Sequence, residues 1–307
     1  MNTVGTILKD YLALRRSLGF KLQKHETTLG EFVSFFRAQK ASYLTTGLAL
    51  RWARNPKDAD PAWWTDRLGM LRGFAAYWKT LDPRIEVPPL RLLLPQYKRP
   101  SPYIYTGRQI CQILAATRQL ASGDNLTYWT LWGLLAVTGM RVGEALALND
   151  EDVDLKQGTI TVRDAKLSTS RRLPLHPTTR RILRRYVQQR RRRFPRPKSS
   201  SFLLIVDGRR PSHAVVWKTF QRVLTEAGID SLSHQKSPRI HDLRHSFAVN
   251  ALIGFYRKGQ DVDRRIHALS TYLGHKSVRC TYWYLTSVPE LMSLALARLE
   301  KKIGGAS

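Results

Sequence analysis

The chain has little acid, little cysteine and no long apolar run, and each shortage narrows what it can be. Across 307 residues, 23 Asp and Glu face 51 Lys and Arg, a formal net charge of +28. An excess of that size repels itself without a polyanionic partner, so nucleic acid is the first expectation and an anionic membrane surface the second. No apolar stretch approaches the ~18–20 residues that cross a bilayer. The opening residues, MNTVGTILKDYLALRRSLGF, break their apolar pattern with charges, unlike a signal peptide, and a cytoplasmic protein is expected. The two cysteines, Cys111 and Cys280, are too few and too far apart for a disulfide framework or a zinc site, and both are expected as buried, reduced thiols. There is no glycine-rich phosphate loop of the Walker type and no fixed-period repeat.

What is present is mostly helical pattern. Val4, Leu8, Tyr11, Leu12 and Leu18 recur at roughly helical spacing, as do Leu29, Phe32, Phe35 and Phe36. Thr45 or Thr46 can cap a third helix. Pro61 suits the first turn of a fourth, whose stripe is Trp64, Leu68, Leu71, Phe74 and Trp78. The proline-rich stretch LDPRIEVPPLRLLLPQYKRPSPY then halts helix and reads as a linker. The boundary falls near residue 100: a helical domain over 1–82, a linker over 83–103 and a second domain over 104–307. In the second domain, Ile110–Leu120, Leu126–Val137 and Val142–Leu148 read as helices. GTITV (158–162) and RRLPL (171–175) read as a β-hairpin whose loop carries Lys166, and SFLLIV (201–206) as a further β-like run. The expected fold is mainly α, with an α+β second domain holding a small antiparallel sheet. A stretch with eight arginines between Arg180 and Arg193 is either a solvated helix face, with Ile182, Leu183 and Tyr186 turned inward, or a phosphate-contacting one.

Cutting a phosphodiester without a metal needs a nucleophile, charge neutralisation at phosphorus and a proton for the departing oxygen. Arginine suits the second task, because its planar fork grips two oxygens and stays charged. Lysine or histidine suits the third. Tyrosine can supply the first, although a phenol of reference pKa near ~10 needs help to ionise. These types occur in order: Arg141 in Thr138-Gly139-Met140-Arg141-Val142-Gly143-Glu144, then Lys166, then His241-Asp242-Leu243-Arg244-His245, then Leu273-Gly274-His275, with Tyr284 nine residues beyond that histidine. A glycine ends one helix and Arg141 opens the next, while His241 and Arg244 share a helix face.

This ordered set resembles the active-site signature of the tyrosine recombinase (phage integrase) family over residues ~105 to 290. The resemblance implies that the N-terminal part is a core DNA-binding domain and that the two domains form a C-shaped clamp on DNA. It implies that Arg141 and Arg244 clamp the scissile phosphate and that Lys166 protonates the leaving 5′ oxygen. His241 would assist the tyrosine's proton transfer or bind the phosphate, His275 would donate to the phosphate, and Tyr284 would form a 3′-phosphotyrosine. Glu144 is expected to orient Arg141. Arg163, Arg171 and Arg172 are basic alternatives to Lys166 but poorer proton donors. His245 reads as a packing residue, and Tyr282 is the competing nucleophile.

The implied partner is double-stranded DNA carrying specific recombination sites. A homo-tetramer is implied, in which the C-terminal helix either packs on its own domain or exchanges between protomers. No cofactor, metal or membrane is implied, and the expected location is cytoplasmic, at the nucleoid. A type IB topoisomerase and a non-catalytic DNA-binding regulator are the alternatives to a recombinase.

Overall fold

The computed structural model describes residues 3–20, 22–93, 101–121, 123–164, 169–229 and 237–304. The chain divides into two compact units, Met1–Pro100 and Ser101–Ser307.

Among the described residues, the first unit holds four helices: α1 (Val4–Ser17), α2 (Gln23–Ala38), α3 (Thr46–Ala53) and α4 (Pro61–Lys79). Their starts follow local chemistry. Thr3, Thr45 and Asp60 each accept a backbone N–H of the first turn, and Pro61 occupies a position where its missing donor costs nothing. The apolar stripes converge on an aromatic core. Trp52 meets Phe32 edge to face at 5.2 Å, and Trp78 meets Phe36 likewise at 5.2 Å. The early part of the proline-rich stretch belongs to this packing: Ile85 is fully buried, and Arg72 donates to the carbonyls of Pro88 and Pro89.

The second unit contains α5 (Gly107–Arg118), α6 (Asn125–Thr138), α7 (Val142–Ala147), a three-stranded sheet, α8 (Pro177–Arg193), α9 (His213–Glu226), α10 (Ile240–Arg257), α11 (Val262–Leu273), α12 (Arg279–Ser287) and α13 (Pro289–Gly304). The sheet is antiparallel in the order β1 (Val153–Asp154), β2 (Thr159–Asp164), β3 (Thr169–Pro174). Among the described residues the fold is thus mainly α with one small antiparallel sheet, as the patterning predicts. In β2 and β3, Ile160 faces Leu173 and Val162 faces Arg171. Side chains alternate along a strand, so Arg171 shares the buried face with Ile160, Val162 and Leu173, while Arg172 points outward.

Three expectations fail here. SFLLIV forms no strand. Phe202, Leu203 and Leu204 are buried in an irregular segment whose polar groups pair with the Arg190 guanidinium, the Tyr186 hydroxyl and the Leu148 carbonyl instead of a ladder. Ile182 of the arginine-rich helix α8 is exposed, whereas Leu183, Tyr186 and Arg190 turn inward, Arg190 donating to the Ser201 and Phe202 carbonyls and pairing with Asp150 at 2.6 Å. Cys111 is exposed and Cys280 half-buried, so neither is a core thiol.

Candidate active site

The site is assembled around the end of α11. A helix leaves its last carbonyls without intrahelical donors, and those oxygens carry partial negative charge. Here three consecutive carbonyls each receive a different arginine: Tyr272 from Arg171 Nε at 2.9 Å, Leu273 from Arg244 Nη2 at 2.8 Å, and Gly274 from Arg141 Nη2 at 2.8 Å. His275 follows directly. The Gly274 turn requires glycine, since its φ is +68° and a Cβ there would lie 2.7 Å from Arg171 Nη1.

Arg141 stands at the start of α7 because Gly139, at φ +62°, ends α6 with a left-handed turn. A Cβ on Gly139 would meet the Phe247 ring at 2.4 Å. The Gly139 carbonyl accepts from Arg244 Nη1 at 2.9 Å, so one guanidinium joins the ends of α6 and α11. Glu144 holds Arg141 Nη1 at 2.7 Å and Arg171 Nη2 at 2.7 Å, and its other contacts include the Arg141 backbone N–H. Burial alone would raise the Glu144 pKa, but the hydrogen bonds and charge of Arg171 and Arg141 outweigh it and hold the carboxyl below its usual range.

Arg244 is almost fully buried in α10, and burial, reinforced by the positive charge of Arg141, depresses its pKa to about 10. It therefore stays charged near neutral pH. Among the described residues, the guanidinium groups of Arg141, Arg171 and Arg244 share this region with the Glu144 carboxylate, which leaves an excess of positive charge suited to a phosphate. Arg141 and Arg244 each commit two of their ~5 N–H donors to the carbonyls and carboxylate named above, leaving others for a ligand.

Tyr284, on α12, is buried to 1% exposure, and its hydroxyl lies 2.7 Å from His245 Nδ1. It is close enough to Arg244 to favour that residue's charged form. Tyr282 lies on the exposed side of the same helix. His275 Nδ1 contacts the Thr281 hydroxyl at 2.7 Å, tying the loop after α11 to α12. His241, exposed at the start of α10, presents its ring edge-on to His245 at 4.7 Å.

The fold thus gathers Arg141, Arg244 and His275 at the end of α11 and sets Tyr284 within the field of Arg244, with His241 joined to Tyr284 through the His245 ring. Lys166 lies outside the described residues. Of its basic alternatives, Arg163 pairs with Glu151 and Asp152 away from this cluster, Arg172 faces outward, and Arg171 is fully engaged by Glu144 and Tyr272. Sequence reasoning names two further neighbours of this cluster in other roles, Arg171 as an alternative to Lys166 and His245 as a packing residue. The signal for Arg171 is its phase with the apolar face of β3, and that for His245 is its place beside Arg244 in a largely apolar helical stretch.

The family model described as the phage integrase family matches residues 104–290. The chain is 38% identical over 309 residues to y4rB of Sinorhizobium fredii, named an integrase/recombinase, covering 98% of each chain. It is 32% identical over 224 residues to the tyrosine recombinase XerD of Xanthomonas campestris, covering 71% of this chain and 65% of that one. Among solved structures, it resembles the XerH site-specific recombinase bound to its palindromic difH substrate in a post-cleavage complex. That match has a TM-score of 0.68 and 18% identity, over 98% of this chain and 84% of that one. The Tn1549 transposon integrase in complex with transposon right-end DNA is similar at a TM-score of 0.66 and 17% identity, over 98% and 99% of the two chains. At such identities the structural likeness is one of fold.

Proposed function

The chain belongs to the phage integrase family of DNA-breaking and rejoining enzymes, and we propose that Tyr284 is the nucleophile with which it carries out site-specific recombination. The observation that carries this reading is the run of carbonyls 272–274, which gathers Arg141, Arg171 and Arg244 beside His275 with Tyr284 within the field of Arg244. Arg141 and Arg244 bind the non-bridging oxygens of the scissile phosphate and stabilise the extra negative charge of the transition state. The Tyr284 oxygen bonds to phosphorus as the 5′ oxygen leaves. Lys166 gives that oxygen its proton, while His241 and His275 supply hydrogen bonds to the phosphate. The resulting 3′-phosphotyrosine retains the bond energy, so the reverse attack by a 5′ hydroxyl reseals the strand.

The helical region 1–82 acts as the core DNA-binding domain and 104–307 as the catalytic domain, joined by 83–103. Double-stranded DNA with specific sites is the partner, and four copies act together on it. Relatives named as recombinases and integrases favour exchange between sites over the relaxation expected of a topoisomerase.

The test begins by footprinting the chain on the DNA that flanks its own gene. The bound site, nicked so that the cleaved end is lost, is then incubated with protein and run on a denaturing gel. Wild type gives a protein–DNA adduct and Tyr284→Phe gives none. An adduct that survives Tyr284→Phe but disappears in Tyr282→Phe reassigns the nucleophile, and no adduct from wild type rejects the mechanism.

A further inference from the structure

We propose that His245 is the proton acceptor for the Tyr284 phenol, an additional catalytic residue outside the set that the sequence signature picks out. The proposal rests on Tyr284 being the nucleophile. A phenol at 1% exposure cannot pass its proton directly to bulk water, and a phenol near pKa ~10 attacks slowly unless a base takes that proton. The Tyr284 hydroxyl is 2.7 Å from His245 Nδ1, within the range in which a general base operates. His245 is itself 5% exposed and fixed by α10, where its neighbour in the chain is Arg244. Tyr284 is near enough to Arg244 to favour its charged form, so the pair stands within the field of the guanidinium that would hold the phosphate. The imidazole is confined from three sides: the Tyr284 ring meets it at 5.5 Å, the Trp283 ring at 5.8 Å and the His241 ring at 4.7 Å. His241, one helical turn earlier and exposed, places a second imidazole in contact with the first.

The step balances without any further reagent. His245 enters as the tautomer with hydrogen on Nε2 and a lone pair on Nδ1. The Tyr284 Oη–phosphorus bond forms, the phosphorus–O5′ bond breaks, and the phenol proton moves to Nδ1. The 5′ oxygen takes its proton from a separate acid, for which Lys166 is the candidate. On resealing, the imidazolium returns its proton to the departing phenolate.

The experiment compares wild type, His245→Ala, His245→Asn and Tyr284→Phe in single-turnover adduct formation on the nicked site, with DNA affinity and melting temperature measured for each. Asparagine can still hydrogen-bond the phenol from nearly the Nδ1 position but cannot accept its proton. Both His245 variants are expected to form adduct roughly 10²–10⁴-fold more slowly at unchanged DNA affinity. A substrate with sulfur in place of the bridging 5′ oxygen, whose thiolate leaves without a proton, is expected to leave the His245→Asn defect in place. His245→Asn reacting at the wild-type rate would overturn the proposal, since the bond would then only hold the ring. So would His245→Ala reacting faster than wild type, which would make the contact a resting-state lock, or full rescue by sulfur. Persistence of the adduct in Tyr284→Phe would instead overturn the nucleophile assignment, and the two failures are distinguishable.

Discussion

Replacing Arg171 by alanine tests whether the carbonyl-anchored arginine cluster is one coupled unit. Arg171 and Glu144 are only 16% and 14% exposed at their side chains, with contacts of 3.1 and 2.7 Å between guanidinium and carboxylate. Arg171 also satisfies the Tyr272 carbonyl. Removing one partner of a fully buried pair costs ~3–5 kcal/mol. Slight solvent access and the remaining bond from Arg141 to Glu144 lower the expectation to ~2–4 kcal/mol. For a unit of this size, each kcal/mol moves the melting temperature by ~2–4 °C, so a fall of roughly 4–16 °C is expected in the transition of the Ser101–Ser307 unit. Calorimetry on Arg171→Ala, Glu144→Gln and the double variant closes the cycle. Because each single change strands a buried partner, the double variant should lose at least ~1 kcal/mol less than the sum of the singles. Additivity within ~0.5 kcal/mol would refute the coupling. The cleavage rate of Arg171→Ala should fall as well, with DNA affinity retained, since Glu144 positions Arg141.

Four further outcomes follow from the same geometry. Gly139→Ala combines a left-handed φ with a Cβ 2.4 Å from Phe247 and should cost ~2–4 kcal/mol in chemical denaturation. Glu144 has a folded pKa below its unfolded value near ~4.3, so its contribution is present above that pH and is lost as pH falls through the folded value. Glu144→Gln should remove that part of the acid destabilisation, seen as a flatter stability curve below about pH 4. Arg244→Lys keeps a charge but not the fork that spans the Gly139 and Leu273 carbonyls, and single-turnover cleavage should fall at least about 10²-fold. DNA affinity should drop steeply with salt, with a log–log slope of about −0.9 per phosphate contact, and a flat response would reject phosphate binding by the basic surface.

Much of the fold was legible because it depends on local chemistry. Thr45 and Asp60 accept first-turn N–H groups as their side chains allow, Pro61 opens α4, and Gly139 closes α6. The hairpin was legible from two short β-like runs. SFLLIV was misread for a physical reason: a short apolar run reports burial and not conformation, and Arg190 and Tyr186 supply the partners that a strand neighbour would have supplied.

The sequence by itself determined the inventory and order of the reactive groups, from Arg141 through Lys166, His241, Arg244 and His275 to Tyr284, since chemical type and spacing are written in the chain. The tertiary structure decided how they are held. Every residue carries a carbonyl, so nothing in the letters distinguishes those of Tyr272, Leu273 and Gly274 from the rest. Only the end of α11, where helical donors run out, turns them into acceptors for three arginines. The partner of Tyr284 was decided the same way. His245 lies 39 positions away in sequence, and only the packing of α12 on α10 brings its ring within hydrogen-bonding distance of the phenol.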